Sequence, residues 1–250
     1  IIANWISKII EPIFKTPQIY PSSVLIAALC GYSIMLYAQF SGFIDMSRAL
    51  GVMIGFNIPK NFNRPFRALN LQIFWRRWHI SLSTWLKDYL YFSVGGNRKG
   101  TFWGYFFPTI FFIASFIWAF RMLPTHNLPL YIVTGAFLLF VIAIIVAKDR
   151  KKAVRSHFNQ MTTMLLGGLW HGANLRFIIW GALHGLALAI HKTFTEYFGK
   201  KDNKKTTLWQ RCSSAFFILL TFHFVAFCWI FFRAKDFDIA LTIMNNISEL

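Results

Sequence analysis

The chain has 250 residues, 56% of them hydrophobic and 19% aromatic against 14% charged; soluble domains carry about a quarter charged residues. That apolar share excludes a disordered chain, and basic residues alternating with long uncharged runs argue against a nucleic-acid partner. With 26 Lys and Arg against 9 Asp and Glu, and a formal net charge of +17, the composition predicts an all-α, multi-pass membrane protein with cationic loops.

Spanning a bilayer of about 30 Å takes about 20 helical residues. Four uncharged windows are long enough: residues 22–44, 102–120, 128–147 and 213–232. Between the first two, residues 61–99 are aromatic and basic at once and too charged to span. Phe74, Trp75, Trp78, Leu82, Trp85, Leu86 and Tyr89 recur there at helical spacing. That pattern predicts an interfacial or re-entrant helix with Arg76, Arg77 and Lys87 at headgroup level; by amphipathicity alone it is a surface anchor. A fifth apolar region, 161–190, is interrupted by Gly167, Gly168, His171, Arg176 and His184. It reads as one bent helix or two helices around a kink. Ionisable groups at depth must face protein or water, so this region is placed in the bundle interior.

Orientation follows from the basic stretches. Residues 60–99 carry eight Lys and Arg, 148–155 carry five and 200–205 carry four, which predicts that all three are cytoplasmic. The segment 121–127 then lies outside, joining a hairpin that leaves and re-enters the cytoplasm. Cys30, Cys212 and Cys228 show no metal or disulfide spacing and read as packing residues. The chain starts at Ile1 without Met and is expected to be part of a longer protein.

The seven histidines sort by setting. His126 and His157 read as solvated loop or helix-end residues, and His223 as a hydrogen-bonding group inside a span. His184 and His191 share a helix face with Trp180; with no carboxylate beside them a metal site is the weaker reading, and none is assigned. His171 stands apart within Gly167-Gly168-Leu169-Trp170-His171-Gly172-Ala173-Asn174. Small neighbours allow close helix approach or room for a substrate. An imidazole, with an ordinary pKa of about 6.5, suits proton transfer near neutral pH. From the residues alone, catalytic and structural roles for His171 are equally supported.

Six strings occur in order: Phe40-Ser41-Gly42-Phe43-Ile44-Asp45-Met46, Asn61-Phe62-Asn63-Arg64-Pro65, Phe74-Trp75-Arg76-Arg77-Trp78-His79-Ile80-Ser81-Leu82-Ser83, Asp88-Tyr89-Leu90-Tyr91, Gly95-Gly96-Asn97-Arg98 and Gly167-Gly168-Leu169-Trp170-His171-Gly172-Ala173. Together they resemble the membrane-bound O-acyltransferase family over residues 40–191. The branch that O-acetylates alginate is nearer, and the branch that transfers D-alanyl groups to lipoteichoic acid more distant. The resemblance implies a helical bundle around a central tunnel, with residues 1–250 a piece of one membrane domain. It implies transfer of an acyl group, here acetyl, to a hydroxyl of a cell-envelope polysaccharide. His171 matches the catalytic histidine, and His79 the histidine lining the same tunnel. The segment 61–99 then becomes part of the reaction chamber instead of an anchor. The two histidines are farther apart than in the family pattern, and the extra length coincides with residues 102–147, read as an inserted helical hairpin.

Acyl transfer needs a base for the hydroxyl, a role worth about 10²–10⁴-fold, and donors for the developing oxyanion. His171 is the base or becomes covalently acylated; a protonated His79, Trp78 or Asn174 supplies the donor. Trp170 and Asp45 complete the tunnel residues, with Asp45 better explained by pairing with Arg48. Arg64, Arg76 and Arg77 attract an anionic donor such as acetyl-CoA or serve lipid headgroups. No bound cofactor is expected. The partners implied are membrane lipids, the acyl donor, the polysaccharide and a periplasmic or membrane-anchored acetyltransferase. Buried His, Asp and Arg also line transporters, but the internal repeats common in that class are not visible.

Overall fold

In the computed structural model, which describes residues 2–122, 128–198 and 208–248, every regular element is helical. His126 and the basic residues 200–205 lie outside the described residues. The elements are α1 (Ile2–Lys15), a 3₁₀ turn (Pro17–Ile19), α2 (Ser22–Met53), a 3₁₀ turn (Pro65–Arg67), α3 (Leu71–Trp75), α4 (Ile80–Trp85), a π-helical turn (Leu86–Tyr91), α5 (Phe102–Met122), α6 (Leu128–Val146), α7 (Arg150–Trp170), α8 (Leu175–Phe198), α9 (Leu208–Arg233) and α10 (Phe237–Ser248). Among the described residues, four helices are long and apolar enough to cross a membrane: Ser22–Met53, Phe102–Arg121, Leu175–Phe198 and Cys212–Arg233; the described apolar stretch Leu130–Val146 is shorter. The expected window 22–44 is thus part of a longer helix. The expected span 128–147 corresponds to α6, 19 residues long.

The chain divides into two compact units, residues 1–83 with 206–250, and residues 84–205. In the first, α2 packs against α1, α9 and α10. Its ends are tied by Ser22 Oγ donating to the Asn246 carbonyl at 2.6 Å and Asn246 Nδ2 donating to the Pro17 carbonyl at 3.0 Å. Arg233 pairs with Glu11 at 2.7 Å and lies over the Phe14 ring. Cys228 is fully buried, Cys30 half-buried and Cys212 exposed, so packing accounts for the first two more than the third.

The single amphipathic helix expected around 74–89 is broken. α3 is five residues long, and the chain turns through Arg76–His79 before α4 begins. The apolar spacing persists because Phe74, Trp75, Trp78, Leu82 and Leu86 are all buried, whereas Trp85 and Tyr89 are exposed. Side-chain periodicity records which residues are covered, not whether the backbone between them is continuous.

In the second unit, α5 and α6 pack on each other and on the antiparallel pair α7 and α8. The region 161–190 is two helices, and the first begins at Arg150, so the basic stretch 148–155 is mostly the opening turns of α7 and not a loop. Asp149 caps it, its carboxylate accepting from the Lys152 N–H at 3.0 Å. His157, expected to be solvated, is 1% exposed. Its Nε2 lies 3.0 Å from Thr193 Oγ1, and Thr193 Oγ1 donates its one proton to the Ala143 carbonyl at 2.9 Å. Nε2 must therefore be the donor to Thr193, and the chain of bonds fastens α7 to α8 and α6. Thr193→Val would strand both the imidazole N–H and the carbonyl. The expected loss is about 1–3 kcal/mol, read as a lower unfolding midpoint in detergent.

Candidate active site

The two histidines that matter most fall in different units. His79 belongs to the first. Its φ is +42°, the left-handed region rarely occupied by a side-chain-bearing residue. The strain is held by Asn61, 7% exposed. Its carbonyl accepts from the Ile80 N–H at 3.0 Å. Its Oδ1 accepts from the Ser81 N–H at 2.9 Å and the Ser81 hydroxyl at 2.7 Å. His79 Nδ1 is 3.4 Å from the same oxygen, which makes Nδ1 the protonated nitrogen and leaves Nε2 with its lone pair. Phe40 contacts the ring edge-on at 4.8 Å. Burial lowers the His79 pKa below the ordinary imidazole value, because a cation loses hydration there. The neutral ring is favoured, so the protonated His79 expected as an oxyanion donor is the disfavoured form. Asn61 was legible only as part of a string; its organising role joins residues 18 positions apart and has no local signal.

Around this turn sits an aromatic cluster. Trp78, 4% exposed, stacks on Phe74 at 5.6 Å and touches Phe62 at 5.0 Å and Trp229 at 5.6 Å. Its position makes it a core anchor of this unit. Arg77 Nη1 donates to the Arg67 carbonyl at 3.1 Å and so braces the turn, while Arg76 is exposed. Asp45 pairs with Arg48 at 3.3 Å, with 71% of its side chain exposed. No burial cost arises there, and the pairing explains the residue. Arg64 has φ +48° and precedes the Pro65 turn.

His171 belongs to the second unit, at the C-cap of α7. Its N–H closes on the Gly168 carbonyl at 3.0 Å. Gly172 follows with φ +151°, and a Cβ there would lie 2.9 Å from the Phe177 ring. Only glycine lets the chain reverse so tightly into α8. The turn continues with Asn174, whose Oδ1 accepts from the Arg176 N–H at 3.1 Å and Nε at 3.2 Å. Its amide nitrogen remains a donor at the rim of the turn.

The glycines around His171 serve close approach of α7 and α8. A Cβ on Gly168 would overlap the Phe177 carbonyl oxygen, and one on Gly181 the Met164 carbonyl oxygen; one on Gly185 would meet Met161 Sδ at 2.7 Å. That approach brings the two helices' rings together. His171 contacts Trp170 at 4.9 Å, Trp180 at 5.3 Å and Phe177 at 6.2 Å. Trp170 is 59% exposed. Sequence reading placed Trp180 and His184 on one helix face; their relation to His171 is tertiary. Among the described residues no three His, Cys, Asp or Glu side chains gather to hold a metal ion.

An imidazole at a glycine-packed helix break, beside an amide donor, can take a proton from an approaching hydroxyl. Comparison with known proteins shows which family the chain resembles. The model of the membrane-bound O-acyltransferase family matches residues 3–142. The chain is 34% identical over 221 residues to the peptidoglycan O-acetyltransferase of Helicobacter pylori, covering 88% of this chain and 30% of that protein. It is 34% identical over 239 residues to the probable alginate O-acetylase AlgI of Azotobacter vinelandii, covering 96% of this chain and 35% of that protein. A match of that extent necessarily runs past both His79 and His171. The teichoic acid D-alanyltransferase of Bacillus subtilis is 26% identical over 227 residues, 90% of this chain and 45% of that protein. The chain spans about a third of the length of the first two relatives. It belongs to the membrane-bound O-acyltransferase family.

Proposed function

We propose that this chain forms the catalytic part of a membrane-embedded O-acetyltransferase. It passes acetyl from a cytoplasmic donor such as acetyl-CoA to a hydroxyl acceptor, moving it across the membrane for O-acetylation of a cell-envelope polysaccharide. The observation that carries this reading is His171, held at the break between two glycine-packed helices in a chain of this family. His171 removes the hydroxyl proton, and the oxygen attacks the thioester carbonyl carbon. The tetrahedral intermediate collapses, the C–S bond breaks, and the thiolate leaves with the proton returned from the imidazolium. Asn174 Nδ2 is the candidate oxyanion donor on this turn.

The protein resides in the bacterial inner membrane with residues 60–99, 148–155 and 200–205 on the cytoplasmic side. Arg76 meets lipid headgroups or donor phosphates there. A periplasmic or membrane-anchored acetyltransferase completes delivery to the polymer. D-alanyl transfer is the second reading, favoured by the Bacillus subtilis relative; the higher identities to proteins named for O-acetyl transfer support acetyl as the first.

The test compares envelope polymers from a strain deleted for the gene with its complemented parent. Mild base releases ester-linked acyl groups for identification by mass. Acetate lost on deletion and restored by the gene supports the proposal. D-alanine lost instead, or unchanged acyl content, overturns it.

A further inference from the structure

α8 carries a second imidazole for which the transfer chemistry has no use. His184 is completely buried and lies one helical turn after Trp180, the two rings 4.8 Å apart. Trp180, 3% exposed, meets His171 at 5.3 Å with the ring planes at 86°. The three rings form a column that runs from the half-exposed His171 into the packed interface of α7 and α8. Trp180 is its immobile wall. A buried indole packed at interior density cannot change rotamer without opening its surroundings, whereas Trp170 on the other side of His171 is 59% exposed. The glycines at 168, 181 and 185 make the column possible, because each removes a side chain that would push the helices apart.

We propose that Trp180, braced from below by His184, is a positioning residue that fixes the plane of the His171 imidazole toward the incoming hydroxyl. The inference rests on the reading of His171 as the base. A base is effective only while its lone pair is aligned with the proton, and a misplacement of about 1 Å can cost about 10²-fold in rate. An imidazole on a helix cap retains two side-chain torsions. Backbone bonds at Gly168 and Gly172 place its Cα, and among its ring neighbours Trp180 is the one held fast by burial.

The test uses the full-length protein in inverted membrane vesicles with radiolabelled acetyl-CoA as the donor probe, and turnover is normalised to inserted protein. The same variants are compared in cells by the rate at which base-releasable acetate accumulates on the envelope polymer. Trp180→Leu is expected to lower kcat by about 10–100-fold with KM for acetyl-CoA within about threefold of the parent. Trp180→Phe, which keeps a flat ring, should return most of the lost kcat. His184→Ala should lower kcat in the same direction, and should add little in the Trp180→Leu background because the two act through one column. If Trp180→Leu does not accumulate in the membrane, His184→Ala decides alone: reduced kcat at unchanged KM supports the column, and parental kcat overturns it. His171→Ala runs in parallel. Turnover lost in His171→Ala but intact in Trp180→Leu overturns the positioning role only. Turnover surviving in His171→Ala overturns the assignment of the base itself.

Discussion

Replacing His171 by alanine is expected to cut acyl transfer by about 10²–10⁴-fold, the range for loss of a general base, while the protein still inserts into the membrane. The separation of the two effects follows from the local structure. His171 occupies the C-cap of α7 with φ −74° and ψ −14°, a conformation alanine adopts without strain. Its backbone bond to Gly168 is independent of the side chain. Removing the ring leaves Trp170, Phe177 and Trp180 each with one neighbour fewer and keeps the backbone cap of α7. Base-releasable acetate on the envelope polymer, measured against inserted protein, is the readout. Acetylation within about threefold of the parent would show that some other group takes the proton, because even the weakest base contribution exceeds that.

The second large effect concerns backbone approach. Gly181→Val is expected to destabilise the protein by about 1–3 kcal/mol, the cost of overpacking a tight interface, and to reduce transfer together with stability. Valine's Cβ would overlap the Met164 carbonyl oxygen and lie 2.9 Å from its carbonyl carbon and 3.3 Å from the Leu165 Cα. Backbone cannot swing aside as a flexible side chain can, so α8 must retreat from α7, and Trp180 retreats with it from His171. Two other helix glycines supply the contrast. A Cβ on Gly42 in α2 or on Gly135 in α6 meets nothing within 4 Å. Gly42→Ala and Gly135→Ala should therefore be neutral or stabilising by up to about 1 kcal/mol, the helix-propensity difference. Thermal midpoints in detergent separate the two classes. Equal midpoints for Gly181→Val and Gly42→Ala would contradict the close approach.

Both predictions turn on residues whose chemical type was legible in the chain and whose neighbours were not. Apolar windows located α2, α5 and α9, because helix length and hydrophobicity are set by what a bilayer requires of each segment separately. The break after His171 was legible as an alternative, since glycine tolerates a left-handed φ wherever the chain must reverse. His79 and His171 stood out through short strings around them. Burial was harder to read. His157 follows a basic stretch and read as a solvated loop or helix-end residue, yet it is buried because α6 and α8 cover that face of α7 and supply a carbonyl and a hydroxyl. The helix expected over 74–89 failed for a related reason. Its apolar period was correct for burial, but Asn61, far back in the chain, captures the backbone at Ile80 and Ser81 and forces the turn at His79.

An apolar sequence with excess positive charge by itself determined a helical membrane protein, because backbone polar groups in lipid must be satisfied within the segment and the composition leaves few charges to bury. Tertiary structure alone decided which histidine is held by what: Asn61 with His79, and Trp180 and His184 with His171. Those relations join residues on separate helices or on opposite sides of a turn. They depend on how closely two backbones approach, a quantity that no single segment encodes.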